Sequence, residues 1–316
     1  MSKIEWTDRT WNPIVGCSVV SPGCTNCYAM KQAARLLDKP GSHYEGTTEP
    51  SKGGQVWTGK VTQASEKTLA APLHWRKPCR VFVNSMGDLF HESVPDEWID
   101  RVFAVMALAP QHTFQILTKR ANRMREYAER ADESLQELDG LCTSGGIAAK
   151  EVHRGARWWQ NKKSVPRWPL PNVWLGVSAE DQARADERIP LLLDTPAAVR
   201  FISYEPALGP VRLQWSWIDR ISHRQEGIED PSDGYLDQII VGGESGSAAR
   251  PCDIDWVRSI INQCKAAGVA VFVKQLGARP RQDIAGRRMV FNLRDRKGGD
   301  MSEWPSDLRV REFPDA

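Results

Sequence analysis

The chain has no run of 18 apolar residues, so no helical membrane span is expected and no membrane is among its expected partners. It has almost no net charge, 42 Lys and Arg against 40 Asp and Glu. Any nucleic-acid binding must therefore come from local clusters of cations, not from overall attraction. The opening Met-Ser-Lys-Ile-Glu-Trp-Thr-Asp has no apolar signal core, which predicts a cytoplasmic location. Internal repeats and heptads are also missing, which argues against solenoids and coiled coils. The glycine pair in Gly242-Gly243-Glu244 is not followed by Lys-Ser/Thr, which speaks against a phosphate-cradling loop. The 316 residues, 41% hydrophobic and 26% charged, fit one large α/β domain or two small ones.

The most informative feature is a short loop that carries Cys17, Cys24 and Cys27, spaced C-x6-C-x2-C and broken by Pro22-Gly23. A structural zinc site normally closes four protein ligands around the metal, whereas three leave a coordination position open. Iron–sulfur clusters are also held by closely spaced thiolates. Two other readings stay open: a zinc knuckle completed by Cys79, Cys142, Cys252, Cys264 or one of six His, and simple buried thiols or a disulfide. A redox Cys-x-x-Cys pair would normally follow a strand, and it would leave Cys17 without a role.

Short β-branched runs alternate with amphipathic stretches, the pattern of βα units and a parallel sheet. Strands are expected at Arg80–Ser85, Thr113–Thr118, Val173–Ser178, Val199–Tyr204, Gln238–Gly242 and Val269–Lys274, with one more ahead of them. Helices are expected at Asp96–Leu108, Arg120–Leu138, Glu180–Leu193 after a Ser cap, and Asp253–Ala267 ending at Gly268. Nearly every strand ends in polar residues: Asn84, Ser85 and Asp88; Thr118 and Lys119; Ser178 and Glu180; Tyr204 and Glu205; Glu244 and Ser245; Lys274 and Gln275. A barrel spreads its site over many strand ends, and a doubly wound sheet gathers it at one switch point, so the spread favours a full or partial barrel.

Thr10-Trp11-Asn12-Pro13, the cysteine loop with Tyr28 and Ala29, Met86-Gly87-Asp88-Leu89-Phe90-His91, Leu117-Thr118-Lys119-Arg120, Gly176-Val177-Ser178, Ser203-Tyr204-Glu205-Pro206 and Val241-Gly242-Gly243-Glu244-Ser245-Gly246 together carry a resemblance over essentially the whole chain. The sequence resembles the phage-associated three-Cys-motif proteins, a family described as a domain of unknown function and placed with the radical S-adenosylmethionine (SAM) enzymes. The resemblance implies an α/β fold, a partial (β/α)6-type TIM barrel of the radical SAM kind, over 1–293, with insertions and a C-terminal tail at 294–316. It implies a 4Fe-4S cluster on Cys17, Cys24 and Cys27, with SAM chelating the open iron and an external electron donor. Cleavage of SAM to a 5′-deoxyadenosyl radical would then start the reaction on the substrate. The common superfamily spacing is C-x3-C-x2-C with an aromatic before the third Cys; here the first gap is longer and Asn26 takes that place.

On this resemblance, Ser85, Asp88, Ser178 and Glu244 are candidate cofactor-binding residues, and Lys119, Glu205 and Lys274 are candidate catalytic residues. Lys274 and Glu205 are equally open to a plain structural pairing. His91 is open to three roles: fourth metal ligand, substrate contact, or satisfied loop residue.

The insertion at 141–172 places Arg157, Trp158, Trp159, Lys162 and Lys163 close together. Cations interleaved with indoles suit a phosphate track with base stacking on single-stranded or flipped-out DNA or RNA, and a solvated insertion anchored to the barrel by its aromatics is the equal alternative. Arg279, Arg281, Arg287 and Arg288 form a second basic stretch that would extend the same surface. A distant likeness to spore photoproduct lyase points the same way, and the family's neighbours suggest a three-Cys-motif partner protein. A second insertion is expected at Ser222–Tyr235, and the tail is expected either to pack loosely or to dock through Trp304 and Phe313.

Overall fold

The computed structural model describes residues 4–37, 42–134, 168–219 and 234–314. The chain divides into two compact units. The first is Met1–Val20, Cys27–Leu175 and Thr195–Ala198; the second is Ser21–Asn26, Gly176–Asp194 and Val199–Ala316.

In the first unit the elements run β1 (Arg9–Trp11), β2 (Ile14–Val15), α1 (Tyr28–Leu37), β3 (Thr48–Ser51), β4 (Gly54–Trp57), β5 (Thr62–Gln63), α2 (Glu66–Leu69), β6 (Arg80–Val83), α3 (Asp96–Leu108), β7 (Thr113–Thr118) and α4 (Ala121–Ser134). β6 lies parallel between β1 and β7, with Phe82 opposite Thr10 on one side and Gln115 on the other. Val81, Val83, Phe114 and Ile116 are fully buried, as strands covered on both faces require. β6 stops two residues before the expected end because Asn84 takes a left-handed conformation (φ 57), and its Oδ1 accepts the Ile14 N–H (3.3 Å). α3 begins after Pro95 with Asp96 and Glu97 in its first turn, where acidic side chains oppose the positive end of the helix dipole. The hairpin of β3 and β4 was not legible in the sequence, because the exposed Glu49-Pro50-Ser51 breaks the alternation that marks a strand.

β8 (Val173–Ser178) is shared, with Val173–Leu175 in the first unit and the rest in the second. The Phe114 N–H donates to Asn172 O just ahead of β8 (2.8 Å), and the Ala179 N–H just after it donates to Ser203 O (3.0 Å).

The second unit continues with α5 (Gln182–Leu193), β9 (Val199–Tyr204), α6 (Trp215–Ile218), β10 (Gln238–Gly242), β11 (Cys252–Asp253), α7 (Ile254–Ala267), β12 (Ala270–Gln275), β13 (Pro280–Ile284) and β14 (Arg287–Val290). The cap of α5 is Asp181, which takes the Arg184 N–H (3.0 Å), and not the expected Ser. α7 ends at Gly268 as expected, in the left-handed conformation (φ 69) that glycine adopts without strain. The segment after residue 293 docks. The Val273 N–H donates to Val310 O (2.9 Å), the Glu312 N–H donates to Val271 O (2.8 Å), Trp304 is buried and Phe313 packs on Phe272.

The strand order of the seven-stranded sheet is β1-β6-β7-β8-β9-β10-β12. That order follows the chain without reversal, so the doubly wound alternative falls. The fold is mixed α/β, with the connectivity of a partial α/β barrel.

Candidate functional site

In the first unit the cysteine loop starts from a fixed point. Gly16 has φ +96, its N–H donates to Met86 O (3.1 Å), and a Cβ there would sit 2.1 Å from Lys60 O. Only glycine fits this approach. The next carbonyl, that of Cys17, accepts the Gly59 N–H (3.1 Å). Cys17 and Cys27 both pack, half-buried, on the cluster of Val15, Ala29, Met30, Ala33, Tyr44, Trp57 and Met86. Cys27 directly precedes α1.

Beside Cys17 lies a buried charge network. Arg120 Nη1 reaches Cys17 Sγ (3.6 Å) and Asp88 Oδ2 (2.9 Å), Nη2 donates to Ser18 Oγ (2.7 Å), and Nε donates to both carboxylate oxygens of Glu92 (3.0 Å each). Asp88 Oδ1 accepts the Thr118 hydroxyl (2.7 Å) and the Phe90 N–H (3.0 Å). Burial by itself lowers the basicity of Arg120; the charges of Asp88, Cys17 and Glu92 more than offset it and raise the guanidinium above its ordinary value. A permanent cation beside Cys17 favours the thiolate, the form that ligates metal. Arg120 is the residue that sequence reasoning missed: it was quoted as part of a motif but given no role. Its only signal was its place two residues after a strand-end Thr.

The second unit holds the other part of the loop. Pro22–Cys24 forms a 3-10 turn, with the Cys24 N–H donating to Ser21 O (2.9 Å). The Gly23 N–H donates to Oε1 of Glu180 (3.0 Å), and a Cβ on Gly23 would meet Glu180 Cδ at 3.0 Å. Glu180 is fully buried, and Arg188 neutralises it at 3.3 Å. From the end of β10, Glu244 accepts Asn26 Nδ2 (3.0 Å), the Arg250 N–H (2.8 Å) and the Arg250 guanidinium (2.7 and 3.0 Å). Arg250 Nη1 in turn donates to Pro22 O (2.9 Å). Burial raises the Glu244 pKa, but hydrogen bonds from Arg250 and Asn26 outweigh it and hold the carboxyl below its ordinary value. Asn26, which stands where an aromatic was expected, therefore ties the turn to Glu244.

A family described as a protein of unknown function, DUF5131, matches residues 1–305. The chain belongs to this family. No curated protein and no solved structure matches it.

The remaining candidates of this DUF5131 chain fall into distinct settings. Asp88 gives its carboxylate to Arg120, Thr118 and two backbone N–H groups, and Glu244 gives its own to Arg250, Asn26 and the Arg250 N–H. Ser85 donates to Asn12 Oδ1 (3.1 Å), and its carbonyl takes the Tyr28 hydroxyl (2.9 Å). Ser178 is buried with its carbonyl on Arg188 (2.8 Å), and Lys119 is half-buried with its N–H on Asp88. Lys274 Nζ pairs with Glu205 Oε1 at 2.6 Å, over Gly242, where a Cβ would come within 3.4 Å of the same oxygen. Gly243 is glycine because a Cβ would stand 2.3 Å from Leu276 O. Arg157, Trp158, Trp159, Lys162 and Lys163 lie outside the described residues.

Thiols are a donor type that both zinc and iron–sulfur clusters take. Cys17, Cys24 and Cys27 are thiols outside any disulfide, each half-buried. Among the described residues no group of three or more His, Cys, Asp and Glu side chains is arranged to hold a metal ion. Both ring nitrogens of His91 have partners: Nδ1 accepts the Ser93 N–H (3.1 Å), and Nε2 meets Ser18 Oγ (3.0 Å). Burial and then Arg120 hold its pKa below the ordinary value, matching the neutral ring this pairing needs.

Proposed function

We propose that this chain is an iron–sulfur enzyme of the radical SAM kind that modifies or repairs a nucleic acid or nucleotide. Cys17, Cys24 and Cys27 would hold the cluster. When bound, a 4Fe-4S cluster with SAM on its open iron supplies one-electron cleavage of SAM to start chemistry on an unactivated substrate. The observation that carries this reading is the construction around the thiols. Buried charged groups fix the cysteine loop in each unit: Arg120 at Cys17, and Glu180 with Glu244 around the Cys24 turn. A loop that merely connected a strand to a helix would not need them. Arg120 stabilises the thiolate of Cys17, while Glu180, Glu244 and Arg250 are positioning residues for the turn that presents Cys24. The sequential strand order, with polar residues at the strand ends, gives a scaffold of the appropriate class.

Anaerobic reconstitution with iron and sulfide is the test. The expected result is a brown protein that cleaves SAM after chemical reduction, with Cys17→Ala, Cys24→Ala and Cys27→Ala each losing the chromophore and Cys79→Ser keeping it. A colourless protein that retains stoichiometric zinc would overturn the proposal.

A further inference from the structure

The hairpin of β13 and β14 stands out from the rest of the second unit. Residues 283–290 are all exposed, including Ile284 (46%), Met289 (49%) and Val290 (63%). The two strands pair antiparallel from Arg281–Val290 to Ile284–Arg287 and close through Ala285 and Gly286, both at positive φ, as a tight hairpin turn requires. Its base is anchored: β13 pairs with β11, Pro280 is buried, and Gln282 Nε2 donates to Asp255 Oδ1 (3.0 Å). Beyond that base the ribbon is solvated on both faces, a costly way to display three apolar side chains unless a partner covers them.

Directly opposed residues share a face and neighbours along a strand alternate, so Ile284, Arg287 and Met289 lie on one face and Asp283, Arg288 and Val290 on the other. Each face therefore carries one exposed arginine beside apolar side chains. From Arg279 to Lys297 the only acids are Asp283 and Asp295, and the Asp295 carboxylate is occupied by the N–H groups of Lys297, Gly299 and Asp300.

We propose that this arm inserts into the major groove of duplex DNA, with Arg287 and Arg288 directed to the phosphates of opposite walls and the apolar side chains of the same two faces packed beside them against the sugars. The major groove of B-form DNA, about 12 Å wide, admits a two-stranded ribbon and presents phosphates on both sides, which matches a cation on each face. The groove of A-form RNA is too narrow for it. An acidic peptide added along β14 would engage one edge and leave both faces in solvent. The inference rests on nucleic acid as the substrate class and narrows it to duplex DNA.

The test measures binding of the full chain, as purified and after reconstitution, to a labelled DNA duplex, an RNA duplex of the same sequence and polyglutamate across a salt series. Duplex DNA should bind best. R287A/R288A should weaken that binding roughly tenfold and lower the slope of log affinity against log salt by about 1.8, the loss of two phosphate contacts. D283N, which removes the acid 3.2 Å from Arg288, should strengthen it. Equal binding of RNA, tighter binding of polyglutamate, or DNA binding indifferent to all three substitutions with thermal stability unchanged would overturn the arm's role. Because binding is read without SAM, a chain that fails to form a cluster yet binds DNA through the arm would sink only the proposed radical chemistry.

Discussion

The cysteine loop and the β13–β14 arm are held in opposite ways. The loop is held by buried charges whose partners are assigned one by one: Asp88 to Arg120, Arg188 to Glu180, Arg250 to Glu244. The arm is held only at its base, and its Arg288–Asp283 ion pair is exposed. Removing one partner of a buried pair strands a charge in a poor solvent, whereas an exposed pair is replaced by water. A site that must fix the geometry of thiolates gains from the first arrangement. A surface that must meet a polyanion gains from the second, because its cations stay available.

The contrast can be broken in order of size. Arg120→Ala should cost about 3–5 kcal/mol, since Asp88 is left buried and uncompensated; urea denaturation measures it, and a loss below 1 kcal/mol would mean that the network is solvated. Gly23→Ala should cost about 1–3 kcal/mol, because the new methyl meets the Glu180 carboxylate, and it should lower cluster occupancy after reconstitution. Full occupancy would show that the turn is not under the constraint its packing implies. Glu244→Gln should cost about 1.5 kcal/mol at neutral pH, the range of a charge-assisted hydrogen bond. The folded pKa of Glu244 lies below the ordinary 4.5. Its stabilisation is therefore present above that value and is lost as pH falls through the lower folded value, so wild type and variant should converge in acid. A gap that persists there would assign the effect to shape, not charge. The smallest change belongs to the arm: Met289→Ala should alter stability by no more than about 0.5 kcal/mol, as expected for an exposed position.

Legibility in the sequence follows the same divide. The βα rhythm was readable because parallel strands are near-continuous apolar runs and the helices carry their own stops, Gly268 among them. The cysteine spacing and the polar strand ends were readable for the same local reason. Arg120 was not, because a lone arginine at a helix start gives no sign that it will be buried against a thiol. Glu244 was noticed but given a role toward a cofactor, since its glycine-rich context resembles a ligand-binding turn; in the structure its hydrogen bonds go to Asn26 and Arg250. The basic stretch after Arg279 was legible as charge, but its ribbon was not, because Ala285-Gly286 lacks the usual Asn-Gly or Asp-Gly signature.

The sequence by itself determined the three closely spaced cysteines, the parallel α/β class, and the positions where only glycine or a cap residue suits the local backbone. These depend on residues near one another along the chain. Only the tertiary structure decided what holds the loop and what stands free of the core. Gly23 meets Glu180 across 157 residues and Asn26 meets Glu244 across 218, and such pairings arise from the order of strands in the sheet, which no local pattern encodes.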